Sequence, residues 1–198
     1  MALTVTLAAP SVTAQPKPAD THAAVTKVAF KGPAASDQFS MSGNGTQGTY
    51  DPAGGKALKF AIDTTTHKMI TKDGSDKIIG FLKYANGQKW KLEDSTGKDL
   101  YVLKKEPDGH YKLKDAAGNT LYVVKSEDYG CKIENGENAA VAKIHKHENK
   151  LSLKSKDDKE ILSTHSDTDP IVLACFAFDA LDKNQRAELA YALNFVRN

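Results

Sequence analysis

Between residues 90 and 125 the chain repeats itself with an offset of 21. Trp90-Lys-Leu92-Glu-Asp94-Ser-Thr-Gly97-Lys-Asp-Leu100-Tyr-Val102-Leu-Lys104 matches Tyr111-Lys-Leu113-Lys-Asp115-Ala-Ala-Gly118-Asn-Thr-Leu121-Tyr-Val123-Val-Lys125 nearly position for position. Each copy is a β-hairpin. An aromatic and a Leu alternate with Lys, which places Trp90 and Leu92 on one face and Lys89 and Lys91 on the other. Asp-x-x-Gly then turns the chain, the Asp accepting from N–H groups ahead of it and the Gly taking the positive φ that closes a bulged type I turn.

Related text flanks the two copies. Met69 to Phe81 turns at Asp73-Gly74, Cys131 to Ile144 at Asn135-Gly136, and Leu151 to Leu162 near Asp157. With Ala57 to Ile62, and the apolar stretch Phe39 to Met41, the count is ten to twelve short strands in a meander. Five hairpins are too few for four-stranded blades around an axis, so a closed barrel fits better than a propeller.

The carboxyl end changes period. Asp169-Pro170 is a helix start, with Asp able to cap and Pro tolerated at the first helical position. Ile171 to Phe178 is then apolar at every position, so a helix there is buried on all sides. Eight residues are far short of the roughly 20 that cross a bilayer, so the protein itself must supply the apolar surroundings, and a barrel lumen would do so. Asp182 with Gln185 predicts a second capping box, opening an amphipathic last helix that carries Ala187, Leu189, Ala190, Leu193 and Val196.

The 198 residues hold one domain with a tail. Residues 1–35 read as a tail and linker, and residues 36–198 as the barrel. Ala2 to Ala14 is apolar, small and uncharged, like the core and cleavage zone of a secretory signal, although no Lys precedes Lys17. Export to a periplasm or beyond the cell is the expectation, with a cytoplasmic or membrane-peripheral protein as the alternative. Cys131 and Cys175 fit neither a zinc pair nor a dense disulfide framework; they read as small buried hydrophobes, with one disulfide left open.

Lys and Arg number 27 against 25 Asp and Glu, interspersed, and Arg186 and Arg197 are the only arginines. Because bidentate reading of phosphate and guanine is mainly arginine chemistry, specific nucleic-acid recognition is excluded as an expectation. Gly43-Asn-Gly45-Thr-Gln-Gly48 spells G-x-G-x-x-G, but Tyr50, Asp51 and Pro52 follow where a helix must open, so it reads as a glycine-rich surface loop. His145, His147 and Glu148 would need His165 or His110 to complete a metal site, and Asp157, Asp158, Asp167 and Asp169 lack EF-hand spacing. Turn and cap roles suit them, and no metal or cofactor is expected. No nucleophile motif is present, so no enzyme is expected.

Hairpins with Asp-x-x-Gly turns, closed by Ile171-Val-Leu-Ala-Cys-Phe-Ala-Phe-Asp179, resemble the tubby C-terminal-like superfamily, which includes tubby proteins, phospholipid scramblases and LURP-one-related proteins. The likeness spans roughly residues 57–198 and is strongest to the LURP-one type. It implies a mainly β fold, a barrel of about twelve antiparallel strands around a hydrophobic C-terminal helix. Tubby domains bind phosphoinositide head groups through a basic groove, but no family motif aligns here residue for residue, so no site is carried over.

Lys89, Lys91, Lys112 and Lys114 occupy matching outward positions of the two copies. Side by side they would form a basic strip for anionic head groups, each charge contributing about 1 kcal/mol near a membrane surface. The functional expectation is a monomeric, non-enzymatic module that contacts anionic phospholipid, without a transmembrane span. The alternative is an exported envelope scaffold that binds a protein partner.

Overall fold

The computed structural model describes residues 26–196. Fourteen strands form one closed antiparallel barrel. They are β1 (Thr26–Lys31), β2 (Asp37–Gly43), β3 (Gln47–Pro52), β4 (Leu58–Asp63), β5 (Lys68–Lys72), β6 (Ile78–Ala85), β7 (Lys89–Asp94), β8 (Asp99–Lys105), β9 (Tyr111–Asp115), β10 (Thr120–Glu127), β11 (Gly130–Asn135), β12 (Ala140–His147), β13 (Lys150–Ser155) and β14 (Glu160–Thr164). Each pairs with its chain neighbours, and β1 closes on β14. The seam is thin, with Lys31 opposite Ser163. Side chains reinforce it: Thr164 Oγ1 donates to Ala29 O at 2.7 Å, and Ala29 N donates to Ser166 Oγ at 3.3 Å.

Fourteen strands replace the expected twelve, for two reasons. β1 lies inside the stretch read as linker, where Val28 and Phe30 bury alternate side chains in the barrel. β3 takes up Gln47 and Gly48, the end of the stretch read as a glycine loop, and the four residues after it. The order of the barrel therefore begins before residue 36. The signal-like residues 2–14 lie outside the described residues.

Period-two alternation does the rest. Met69, Leu82, Leu92, Leu103, Leu113, Ile133, Ile144 and Leu153 all point inward and are fully buried. Burying each such side chain contributes about 1.5–3 kcal/mol. One end of the barrel carries five turns of a single design, starting at Asp73, Asp94, Asp115, Asn135 and Ser155. In each, the first residue's side-chain oxygen accepts from N–H groups ahead, as Asp94 Oδ1 does from Thr96 N (2.8 Å) and Lys98 N (3.0 Å). The residue three positions on takes positive φ: Gly97 and Gly118 as expected, but also Asp76, Asn138 and Asp158. Asn135-Gly136 is thus not a two-residue hairpin turn, because Asn138 takes the left-handed conformation in its place. Asn86-Gly87, joining β6 and β7, has positive φ at both residues, as a type I′ turn requires.

The lumen is filled by a helical hairpin. α1 (Pro170–Ala174) is capped by Asp169, whose Oδ1 accepts from Ile171 N at 3.0 Å. A 3-10 turn, Cys175–Ala177, follows, and the chain then reverses into α2 (Lys183–Phe195). The expected continuous helix over Ile171–Phe178 is therefore broken. Arg186 holds the reversal, donating to Leu181 O (2.9 Å) and Phe176 O (3.2 Å), carbonyls that a helix end leaves without partners. The capping box at Asp182 and Gln185 forms as expected. α2, however, is not a half-exposed amphipathic helix: Ala187, Leu189, Ala190, Tyr191 and Ala192 are fully buried. α1 packs against β11–β13 and α2 against β6 and β7.

Tyr191 explains the glycine motif. A Cβ on Gly43 or Gly48 would overlap its hydroxyl, which donates to Gln47 O at 3.0 Å. The first and last glycines of G-x-G-x-x-G thus form a notch for a lumen side chain, while Gly45 turns the β2–β3 hairpin at positive φ. Cys131 and Cys175 are both free and buried.

Candidate functional site

Strands β7 and β9, which carry the four lysines of the expected strip, are not neighbours. β8 lies between them and completes the row: Lys89 faces Lys104, and Lys104 faces Lys112. In the next row Lys91 faces Val102, and Val102 faces Lys114. Lys104 is therefore a member of the strip that the repeat comparison missed. The signal was present, since Lys104 sits at the same phase of its strand as Lys89 and Lys112.

The electrostatics divide the strip. Lys91 is held at 2.9 Å by Asp99 and at 3.2 Å by Glu93. These bonds, Asp99's first, raise its pKa above the ordinary lysine value, and Lys91 in turn lowers that of Asp99. Lys104 makes a longer contact with Glu106, at 3.4 Å. Lys89, Lys112 and Lys114 form no ion pair among the described residues.

The cause is one position in the repeat. The residue just before each turn anchor reads Lys72, Glu93, Lys114, Glu134 and Lys154. The strand pairing shifts register at all five of these positions, and at the two glutamates the side chain is buried. Glu93, 3% exposed, collects Lys83 at 2.7 Å and Lys91. Glu134, 4% exposed, collects Lys125 at 2.6 Å and Lys132 at 2.8 Å. Lys125 and then Lys132 hold the Glu134 carboxyl below the usual glutamate range, and Lys132 is raised in return. Lys83 and Lys91 face one another across β6 and β7, as Lys125 and Lys132 do across β10 and β11. Lys104 and Lys112 are the corresponding pair on β8 and β9, but the position of the acid is taken by Lys114. Like charges opposed across a ladder repel, and here the carboxylate contact is the longer one of Lys104 with Glu106, at 3.4 Å.

Beside Lys104 an open cleft of about 460 Å3 separates two turns. It is lined by Asn86, Gly87, Gln88, Lys104, Lys105 and Glu106. The Lys105 ammonium sits over the Tyr111 ring at 5.6 Å.

The other sequence candidates take structural roles. His145 stacks on Tyr129, ring centres 5.0 Å apart, and Glu148 occupies a turn at positive φ. No group of three metal-ligating side chains gathers among the described residues. Asp158 closes the β13–β14 turn and pairs with Lys143 at 2.8 Å, and Asp169 caps α1. Burial pushes the Cys131 thiol up to about 11, and a thiol so protonated is a poor nucleophile. No helix among the described residues is long and apolar enough to cross a membrane.

No protein-family model and no curated protein matches the chain. Among solved structures, an X-ray structure of an Arabidopsis thaliana protein is similar to it at 15% identity and a TM-score of 0.39, covering 79% of this chain and 89% of that one.

Proposed function

We propose that the chain is a non-enzymatic binding module whose β7–β9 face meets anionic lipid head groups at a membrane surface. One observation carries the reading: at the pre-turn position of β9 stands Lys114, where β7 and β11 place a glutamate that neutralises two lysines. The face so left holds Lys89, Lys104, Lys112 and Lys114 on adjoining strands, with Val102 of β8 beside Lys114 and Val123 of β10 beside Lys112. Positive charge on a wall of strands, offset at Lys104 by the 3.4 Å contact with Glu106, suits an extended anionic surface, to which each lysine contributes about 1 kcal/mol at low screening. The resemblance to the tubby C-terminal-like superfamily adds to the reading without supplying a residue.

The test is co-sedimentation of the full chain with vesicles of phosphatidylcholine alone or with phosphatidylserine, at low and physiological salt. Binding to the anionic vesicles only, weakened by salt, is expected. Equal binding to both lipids, or none at either salt, sinks the reading and turns the search to protein contacts. Inorganic phosphate as competitor separates capture of a single head group from contact with a charged surface.

A further inference from the structure

Within the lumen, one side chain breaks the apolar pattern. Glu188, on α2, is 3% exposed and surrounded by the barrel wall. Its Oε1 has no hydrogen-bond partner, and the Thr71 hydroxyl on β5 lies beside the carboxyl, where it favours the ionised form without offsetting the burial. Gly80 on β6 makes the space for it: a Cβ there would stand 3.1 Å from Glu188 Oε2 and 3.2 Å from the main-chain oxygen of Glu93 on β7. The carboxyl is thus seated in a glycine notch next to a hydroxyl and a carbonyl oxygen.

No cation reaches it. The charge acting on Glu188 is that of Asp182, which is negative. The Arg186 guanidinium is spent on Leu181 O, Phe176 O and Asp179. Lys83 and Lys91 lie on the outer face with the Glu93 carboxylate. From β6 the inward titratable group is Tyr84, whose phenol burial pushes up. On β7, Asp94 is engaged by its own turn. α1 offers no titratable side chain, the 3-10 turn offers the buried Cys175 thiol, and α2 itself offers Tyr191, both raised by burial. An ionised carboxylate without a counter-ion is among the costliest groups to bury.

We infer that Glu188 is stored in the lumen as the un-ionised acid and that its ionisation loosens α2 from the β5–β7 wall, making the plug a pH-responsive element. The neutral acid can donate a hydrogen bond, which a carboxylate cannot do, while the Thr71 hydroxyl can donate to either form. Burial raises the group from the ordinary 4.5 to about 8. The sign follows from linkage. The unfolded chain gives up this proton near pH 4.5 and the folded chain keeps it to about 8, so stability is fully present below that window and falls as pH rises through it. Within the window the folded-to-unfolded ratio drops about tenfold per pH unit.

The test compares urea unfolding of the full chain and of Glu188→Gln from about pH 5 to about pH 9, with amide exchange of α2 measured at both ends. The wild type is expected to lose stability across the range relative to the Gln variant, with α2 amides opening before those of the strands. Parallel profiles overturn the inference. If the Gln variant does not fold, infrared spectroscopy of wild type decides: an un-ionised carboxylic acid stretch at neutral pH that disappears on alkalinisation and is shielded from solvent exchange supports it, and its absence at neutral pH overturns it.

Discussion

Hairpins β6–β7 and β8–β9 turn differently, at Asn86-Gly87 and at Gly109, but share a lysine pair facing across the ladder, and their outer faces differ electrostatically. In the first, Glu93 lies beneath Lys83 and Lys91 and the charges cancel locally. In the second, Lys114 joins Lys104 and Lys112, and among the described residues the 3.4 Å contact of Lys104 with Glu106 is what offsets them. Hairpin β10–β11 returns to the first pattern through Glu134. The difference shows that a clasped lysine cluster neutralises the wall at β6–β7 and at β10–β11, and that the open cluster differs from these two by one residue type at one position. Neutral walls and charged walls are thus built from the same strands.

The largest expected effect is on the open side. Replacing Lys89, Lys112 and Lys114 together with Gln should remove about 3 kcal/mol of attraction to anionic vesicles, a loss of roughly a hundredfold in vesicle affinity at low salt. Unfolding should be unchanged or slightly improved. If affinity is unaffected, the comparison has no functional content.

Next comes the clasp. Glu134→Gln leaves Lys125 and Lys132 opposed with no acid, and should cost about 1–2 kcal/mol in urea unfolding at neutral pH. The Glu134 pKa is depressed, so its contribution exists above the ordinary 4.5 and is lost as pH falls through the depressed value. Wild type and variant should therefore converge in acid. Failure to converge would place the cost elsewhere than in the ion pairs.

Smaller still is Lys114→Glu, which writes the clasp into the open hairpin. We expect a gain of about 0.5–1 kcal/mol in stability together with weaker vesicle binding. The smallest effect belongs to Glu93→Gln, which frees Lys83 beside the open face while Asp99 still holds Lys91, and should strengthen anionic binding about fivefold, one charge's worth. A stability gain without loss of binding in the first of these, or weaker binding in the second, would break the link between clasp and surface.

Much of the wall was legible in sequence because period two and Asp-x-x-Gly turns are local. Trp90, Leu92 and Leu113 announce their face by alternation alone, and Asp94 and Gly97 announce the turn by chemistry. The turns at Asn138 and Asp158 were harder, since a polar residue in the left-handed region carries no glycine to mark it. β1 and β3 were lost to composition, as short strands beside Pro and Gly resemble linkers when their partners are unknown. The four lysines were placed on the correct outer face, whereas the neutralisation of Lys91 and the membership of Lys104 depend on which strands adjoin. Such facts belong to pairing, not to the repeat. The burial of α2 was hidden for a related reason: Glu188 mimics a solvent-facing residue unless Gly80, far away in sequence, is known to oppose it.

The notch that Gly43 and Gly48 offer to Tyr191 bears on how the molecule comes into being. The hydroxyl and its acceptor, Gln47 O, are 144 positions apart. During synthesis the wall is thus laid down first and its filling last, so a ribosome releases a nearly complete cylinder before the helices that occupy it exist. Contacts of such separation slow folding, and the waiting strands expose apolar surface and unpaired edges. A stall anywhere between residues 164 and 182 would leave a hollow, sticky intermediate, which makes this stretch the interval in which the nascent chain most needs a chaperone's shelter.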